Sequence, residues 1–311
     1  MPQILGSIPD SAFWISRWQQ AAEGSRFHEV YPDETVIWNQ SARAFDSGMG
    51  KSGAREGALL EILARIGFLP DAGMPVPGKR ALDIGSGTGS LALPLAQCGI
   101  AVDALDNSEQ MNQILREKCA AAGIAPKKEG IEAEIEAGKI SIIAEDFRSW
   151  DMPEGTYDLV LGSMNPCLYN PVAFHRMLAL SRDAVVYIGI AGQAPAGGAS
   201  AEKPLVEQIT GIPPGHNGSN HVVYPFNILL AMGLQPVISY VHDYWERREE
   251  TEQAIARLLA QYAHFADKYP QAPDIIRAHV AQRAQDGYFV ERGGGTLGIV
   301  ACRKGGQGRA V

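Results

Sequence analysis

One stretch, Ala81-Leu82-Asp83-Ile84-Gly85-Ser86-Gly87-Thr88-Gly89-Ser90, constrains this chain more than any other. Ala81, Leu82 and Ile84 read as a buried strand, and the alternating Gly85, Gly87 and Gly89 as a turn where a ligand can lie against bare backbone. Ser90 to Gln97 continues as a helix whose first N–H groups face that turn. A strand, a glycine turn and a helix N-terminus, in that order, open a βαβ unit with a nucleotide-type site at the strand's C-terminal end. The details separate the nucleotides. A dinucleotide fingerprint wants Gly-x-Gly-x-x-Gly, and counted from Gly85 its third glycine falls on Ser90. The pattern Asp-x-Gly-x-Gly-x-Gly, beginning at Asp83, fits without exception.

Two later segments repeat the arrangement. Ala101 to Asp106 reads as a strand ending in an acid 21 residues after Gly85, where a carboxylate can accept both ribose hydroxyls of an adenosine ligand. Asn107, Ser108 and Met111 open the next helix. Ile140 to Phe147 is a β-rich run ending in Asp146-Phe147. Strands near 80–85, 100–106, 140–146, 157–163 and 184–190 alternate with helices near 88–98, 108–122 and 171–181. That rhythm predicts an α/β fold with a doubly wound, mostly parallel sheet and helices on both faces.

These motifs resemble those of class I S-adenosylmethionine-dependent methyltransferases of the small-molecule type, over roughly Trp14 to Lys304 and most closely over residues 80–165. The resemblance implies a seven-stranded sheet whose last two strands are antiparallel neighbours. It implies S-adenosylmethionine (SAM) as cofactor, held by Asp83, Gly85, Ser86, Gly87, Gly89 and Asp106, with Asn107 and Met111 beside the adenine. Asp146 would take the adenine amino group and Phe147 pack its edge, while Ser163 ends the strand that passes under the transferring methyl. Trp38 to Asp46 is similar to a Trp-x-x-x-Ala-x-x-aromatic-Asp element that precedes the first motif in such enzymes as a helical cover. This makes Trp38, Arg43 and Phe45 candidate cofactor contacts, with Arg43 pairing the SAM carboxylate through two hydrogen bonds.

The acceptor side is expected after the fourth strand. Asn165-Pro166 is similar to the Asn-Pro-Pro-Tyr motif of amide and adenine N-methyltransferases, but Cys167 and Leu168 depart from it, and Asn165 lies seven residues after Asp158. Asn165 and Tyr169 are therefore candidates to line a substrate pocket. His216 and His221 flank a loop rich in Gly, Ala, Ser and Pro, and are candidate bases because imidazole titrates near neutrality. No His, Cys or acidic cluster has metal-ligand spacing, so no metal is expected. No nucleophile elbow or phosphate-binding Gly-Lys-Thr loop occurs.

The organisation expected is a helical N-terminal cap over 1–70, a SAM-binding domain over 78–304 and a disordered tail over 305–311. Within the domain, insertions are expected near 191–220 and 246–287, with a long helix from Glu249 to Tyr269 preceding the last strand, Gly295 to Cys302. The segment 123–138 reads as a charged surface excursion, and the arginines from Arg277 onward as a solvated face. A net charge of −8 disfavours nucleic-acid partners. The absence of an apolar run of about 18 residues excludes a helical membrane span, and the start of the chain does not read as a secretory leader. Four dispersed cysteines suit reduced thiols in a cytoplasm. A small-molecule methyltransferase, monomeric or homodimeric, is the leading reading. An NAD(P)-dependent oxidoreductase and a non-catalytic SAM or metabolite sensor are the alternatives.

Overall fold

The glycine turn lies at the middle of a seven-stranded sheet in the computed structural model, which describes residues 9–47, 53–124, 138–192, 203–213, 215–216 and 218–305. β1 (Arg80–Ile84) pairs in parallel with β2 (Ala101–Leu105) on one side and β4 (Tyr157–Ser163) on the other. β3 (Ile140–Ile143) extends the sheet beyond β2, and β5 (Ser181–Gly192) beyond β4, both in parallel. The last strand, β7 (Tyr288–Arg303), inserts antiparallel between β5 and β6 (Val237–Glu250), giving the order β3-β2-β1-β4-β5-β7-β6. This is the predicted fold: seven strands, mostly parallel, with the antiparallel pair at one edge.

β1, β2, β4 and β5 are buried along most of their length because both faces are covered. Successive side chains alternate between the two layers. Leu82, Ile84, Val160, Val185, Tyr187 and Val300 enter one core, with Trp18, Phe174 and Ile228. Ala81, Leu159, Leu161, Val186, Ile188 and Ile299 enter the other, with Leu59, Leu63, Leu95 and Leu115. The first layer thus belongs to α1 (Ser11–Glu23), α7 (Pro171–Leu180) and α9 (Val223–Ala231), and the second to α4 (Ala54–Arg65), α5 (Ala92–Gln97) and part of α6 (Glu109–Ala121). The region read as a cap is therefore divided. α4 is a sheet-covering helix, whereas α3 (Glu34–Ser47) lies on α6, packing Trp38, Ala42 and Phe45 against Met111 and Ile114. Short α2 (Phe27–Val30) precedes it.

Three boundaries differ from expectation for physical reasons, the last strand, expected from Gly295, beginning already at Tyr288 where it pairs with the end of β6. α5 begins at Ala92 instead of Ser90, because Gly85, Gly87 and Gly89 all have positive φ, and turns occupy the residues up to Leu91. The helix predicted from Glu249 to Tyr269 is a strand as far as Glu250. Glu246 to Glu250 pair residue by residue with Arg292 to Tyr288, and the cross-strand ion pairs Arg292–Glu246 (2.8 Å) and Arg247–Glu291 (3.5 Å) fit that pairing. A charged run with good helix propensity is thus held extended by its partner strand. Only then does α10 (Thr251–Gln261) begin, followed by a single 3₁₀ turn and by α11 (Ala272–Arg283) with Pro273 in its first turn. α10, α11 and α8 (Leu205–Thr210) enclose a separate apolar cluster with Val30 and Phe289.

The basic C-terminal residues are only partly a solvated face. Arg303 bonds both Asp183 oxygens (2.7 and 2.9 Å) and the Gly67 carbonyl (2.9 Å), and Lys304 donates to the carbonyls of Leu178 and Ser181. All four cysteines are buried and free. Among the described residues no cluster of His, Cys and acids can hold a metal, and no helix is long and apolar enough to cross a membrane. Most of the predicted excursion over 123–138 and of the predicted tail lies outside the described residues, as does the centre of the loop predicted over 191–220.

Candidate active site

A cavity of about 410 Å³ opens at the C-terminal ends of β1, β2 and β4. Its floor is Gly85, Gly87, Leu105 and Asp106, and Trp38 and Phe45 of α3 reach into it from the cap. The turn beneath is built for close approach. Gly85, Gly87 and Gly89 have φ of 67°, 53° and 80°, values that favour glycine. A side chain on Gly85 would run into the Asn165 amide, and one on Gly89 into Leu115 of α6.

Four of the turn's N–H groups are already engaged. Gly85 and Ser86 both donate to the Leu105 carbonyl (2.7 and 3.1 Å), Gly89 donates to the Ser86 carbonyl (2.9 Å), and Gly87 donates to Asp106 Oδ2 (2.9 Å). A pyrophosphate needs convergent free N–H groups; this turn presents a carboxylate instead. Asp106 Oδ1 accepts from Ser108 N–H at 2.8 Å, which leaves further lone pairs for two hydroxyls. Burial pushes its carboxyl pKa up, opposed by the Ser108 and Gly87 hydrogen bonds. Asp83 lies under the turn, 2% exposed, with Oδ2 unpartnered. Burial, reinforced by the nearby Asp106 charge, pushes its pKa up to about 7. Asp83, Ser86 and Gly89 stand behind the cavity wall, whereas Gly85, Gly87, Asp106, Asn107 and Met111 line it.

Asp146, Phe147 and Ser163 line the cavity as well. Asp146 Oδ1 accepts from the Arg148 N–H at 2.8 Å, and the Arg148 guanidinium reaches across to both Glu34 oxygens at 3.1 Å. That bridge fastens the start of α3 to the loop after β3. Arg176 sits 4.6 Å from the Phe147 ring centre. At the end of β4, Met164 has φ of 51°, a left-handed conformation that costs a non-glycine residue energy and is typical of functional sites. Asn165 follows; its Oδ1 caps the Cys167 N–H at 3.0 Å while its amide packs on Gly85.

The opposite wall is aromatic. Tyr169 meets the His216 ring edge-on at 4.7 Å, and His216 stacks on Phe27 at 4.3 Å. Burial, with a small contribution from His28, pushes the His216 pKa down to about 4, so the imidazole is neutral at pH 7. Burial also raises the Tyr169 phenol well above its usual range.

Two candidates lie elsewhere. Arg43 is exposed on α3 and pairs bidentately with Glu117 at 2.8 and 2.9 Å, outside the cavity. His221 accepts from the Val223 N–H at 3.0 Å through Nδ1, a structural bond at the start of α9, and does not line the cavity. The cavity's buried guanidinium belongs to Arg55 of α4, whose Nε lies 2.8 Å from Asp243 Oδ2 of β6. Neither residue stood out in the sequence. A signal existed in Gly293-Gly294-Gly295, a glycine run inside a strand that marks close backbone approach. Gly294 has φ of 105°, and a side chain there would collide with the Asp243 carbonyl.

Residues 81–185 match the family model described as a methyltransferase domain. Over that segment the chain is similar to a methyltransferase domain, and its mostly parallel seven-stranded sheet is the α/β fold of that class. The matched segment of the chain holds the glycine turn, Asp106, Asp146, Ser163, Asn165 and Tyr169; Trp38, Arg55, His216 and Asp243 fall outside it. Among solved structures it is similar to the YjhP protein of E. coli, at 14% identity and a TM-score of 0.49 over 86% of this chain and 98% of that one. It is also similar to magnesium protoporphyrin IX methyltransferase of Synechocystis PCC 6803, at 19% identity and 0.40 over 76% and 96%. A third is phosphoethanolamine N-methyltransferase 2 of Haemonchus contortus, at 14% and 0.44 over 92% and 60%. No curated protein matches the chain.

Proposed function

We propose that this protein moves the methyl group of SAM to a small-molecule acceptor and leaves S-adenosylhomocysteine (SAH). The observation that carries the reading is Asp106 at the glycine turn. Four of the turn's N–H groups are engaged by Leu105, Ser86 and Asp106, and Asp106 keeps lone pairs for the hydroxyls of a ribose.

The residues present fit SAM. Asp106 would accept the ribose hydroxyls, and Asp146, Phe147 and Met111 would surround the adenine. The buried Arg55–Asp243 pair complements the zwitterionic end of the cofactor, the part assigned by resemblance to Arg43. Bound SAM supplies an electrophilic methyl on a sulfonium. The protein's work is alignment and exclusion of water, which the enclosed aromatic wall of Tyr169, His216 and Phe27 favours. Neutral His216 keeps a ring nitrogen free to take the acceptor's proton. Its depressed pKa makes it effective only once methylation has made that proton strongly acidic. Free, buried thiols fit a reducing, cytoplasmic setting.

Calorimetry with SAM, SAH and NADH tests the cofactor. Saturable binding of SAM and SAH but not NADH is expected, and failure of SAH to bind at about millimolar concentration would end the proposal. Transfer of labelled methyl from SAM into a metabolite extract, abolished by Asp106→Ala, separates an enzyme from a sensor.

A further inference from the structure

A second chamber, of about 240 Å³, lies beside the active-site cavity and shares Phe27, Glu34, Trp38, Phe45 and Trp245 with it. It sits between α3 and the β6–β7 ribbon, and its polar wall contains Glu34, which Arg148 holds, Glu291, and two arginines with different surroundings. Arg257 is fully compensated, with Glu249 at 2.8 Å from its Nε and Glu291 at 2.9 Å from its Nη2. Arg247 is not. Its nearest carboxylate is Glu291 at 3.5 Å, already held by Arg257, and its other hydrogen bonds go to the neutral Ala44 carbonyl and Ser47 hydroxyl. Its side chain is 15% exposed. Burial and the Arg257 charge lower its pKa against the opposing charges of Glu291 and Glu249.

Two further groups of this wall, Ser41 Oγ and Trp245 Nε1, are buried with no hydrogen-bond partner, and Ser41 as a residue is 8% exposed. A guanidinium short of negative charge, an indole N–H and a free hydroxyl share one property: all donate. We propose that this chamber binds an anionic group of the methyl acceptor, a carboxylate or a phosphate, through Arg247, Ser41 and Trp245. The acceptor is then a small molecule whose charged end sits under α3 and whose nucleophile reaches the main cavity past Trp38, Phe45 and Trp245. Describing it as an acceptor rests on the methyltransferase reading; the capture of an anion does not.

The test is a calorimetric titration of benzoate, phenyl phosphate and the neutral isostere benzamide, with and without saturating SAH. At least one of the anions is expected to bind about tenfold or more tightly than benzamide, the better of the two identifying the charged group. Ser41→Ala and Arg247→Met should each weaken that anion about fivefold or more, with SAH affinity unchanged within about twofold. Ser41→Ala removes a hydroxyl that bonds nothing in the fold, so it serves even where Arg247→Met loosens the end of α3. The proposal falls if neither anion binds at about 10 mM, if benzamide binds as well as the anions, or if the substitutions leave anion affinity unchanged. Anion binding without SAH binding would keep the chamber and discard methyl transfer; the reverse would keep methyl transfer and discard the chamber.

Discussion

Single atoms decide the floor of the site. Gly85 combines a φ of 67° with the Asn165 amide packed on the face where a side chain would stand. Gly85→Ala has to bear the left-handed backbone, about 1–2 kcal/mol, and also displace a side chain that caps Cys167. A fall in melting temperature of several degrees is expected, with loss of measurable SAH binding; a variant that melts and binds like the parent would show that the turn has no tight floor. Asp106 works differently, because its two oxygens tie Gly87 and Ser108 before any ligand arrives. Asp106→Asn keeps the shape but turns an amide N–H toward a backbone N–H. Losing one such charged hydrogen bond and a sugar contact is worth about 2–3 kcal/mol, or roughly 30- to 150-fold in SAH affinity by calorimetry.

Between elements, the cap is fastened at points that differ in strength. Arg148 ties the start of α3 to the loop after β3 through an ion pair that is 48% exposed on the arginine side, so it adds little to stability. Its effect should be kinetic. Arg148→Ala is expected to speed SAH release several-fold in stopped flow while the melting temperature moves by less than about 2 °C. Trp18 is the opposite case. Fully buried among Phe174, Tyr187 and Tyr224, it donates from Nε1 to the Ser219 carbonyl at 2.7 Å and so holds the segment between His216 and Asn220. Trp18→Phe leaves that carbonyl unpaired and a gap in the core, and about 2–4 kcal/mol of stability should be lost in denaturant unfolding. How far the sequence reveals these elements depends on the range of the forces that shape them. β1 to β4 and their C-terminal acids are legible because apolar runs and glycine turns are local codes. The ribbon at 246–250 is not, since the charged run Glu246 to Glu250 is extended only by virtue of a partner about 40 residues away. The same holds for the site's arginine. Arg43 sits in a recognisable local pattern but faces Glu117, while Arg55 reaches the cavity because α4 packs under β6, which no local pattern encodes.

For the molecule as a whole, the site stores opposing proton equilibria, the raised carboxyls of Asp83 and Asp106 against the lowered imidazole of His216. Asp83 ionises near 3.8 when unfolded and near 7 when folded, so the folded state holds the proton more tightly and stability falls as pH rises through about 4 to 7. His216 titrates near 6.5 unfolded and near 4 folded, so here the unfolded state binds the proton and stability is lost as pH falls from about 6.5 to 4. Each shift corresponds to about 3–4 kcal/mol, and the two slopes oppose each other across nearly the same window. Cancellation predicts that the apoprotein has a shallow stability profile between pH 4.5 and about 6.5, declining gently above it. Removing either side should expose the other. Asp83→Asn leaves the histidine opposed only by Asp106, and its unfolding free energy should climb between pH 4.5 and 6.5. His216→Asn leaves the two acids alone, and its unfolding free energy should drop across the same interval. Denaturant melts of the three proteins at pH 4.5, 5.5, 6.5 and 7.5 measure this directly. Three parallel profiles would mean that neither burial is felt as charge, and that the acid under the turn and the imidazole on the aromatic wall are both reached by solvent.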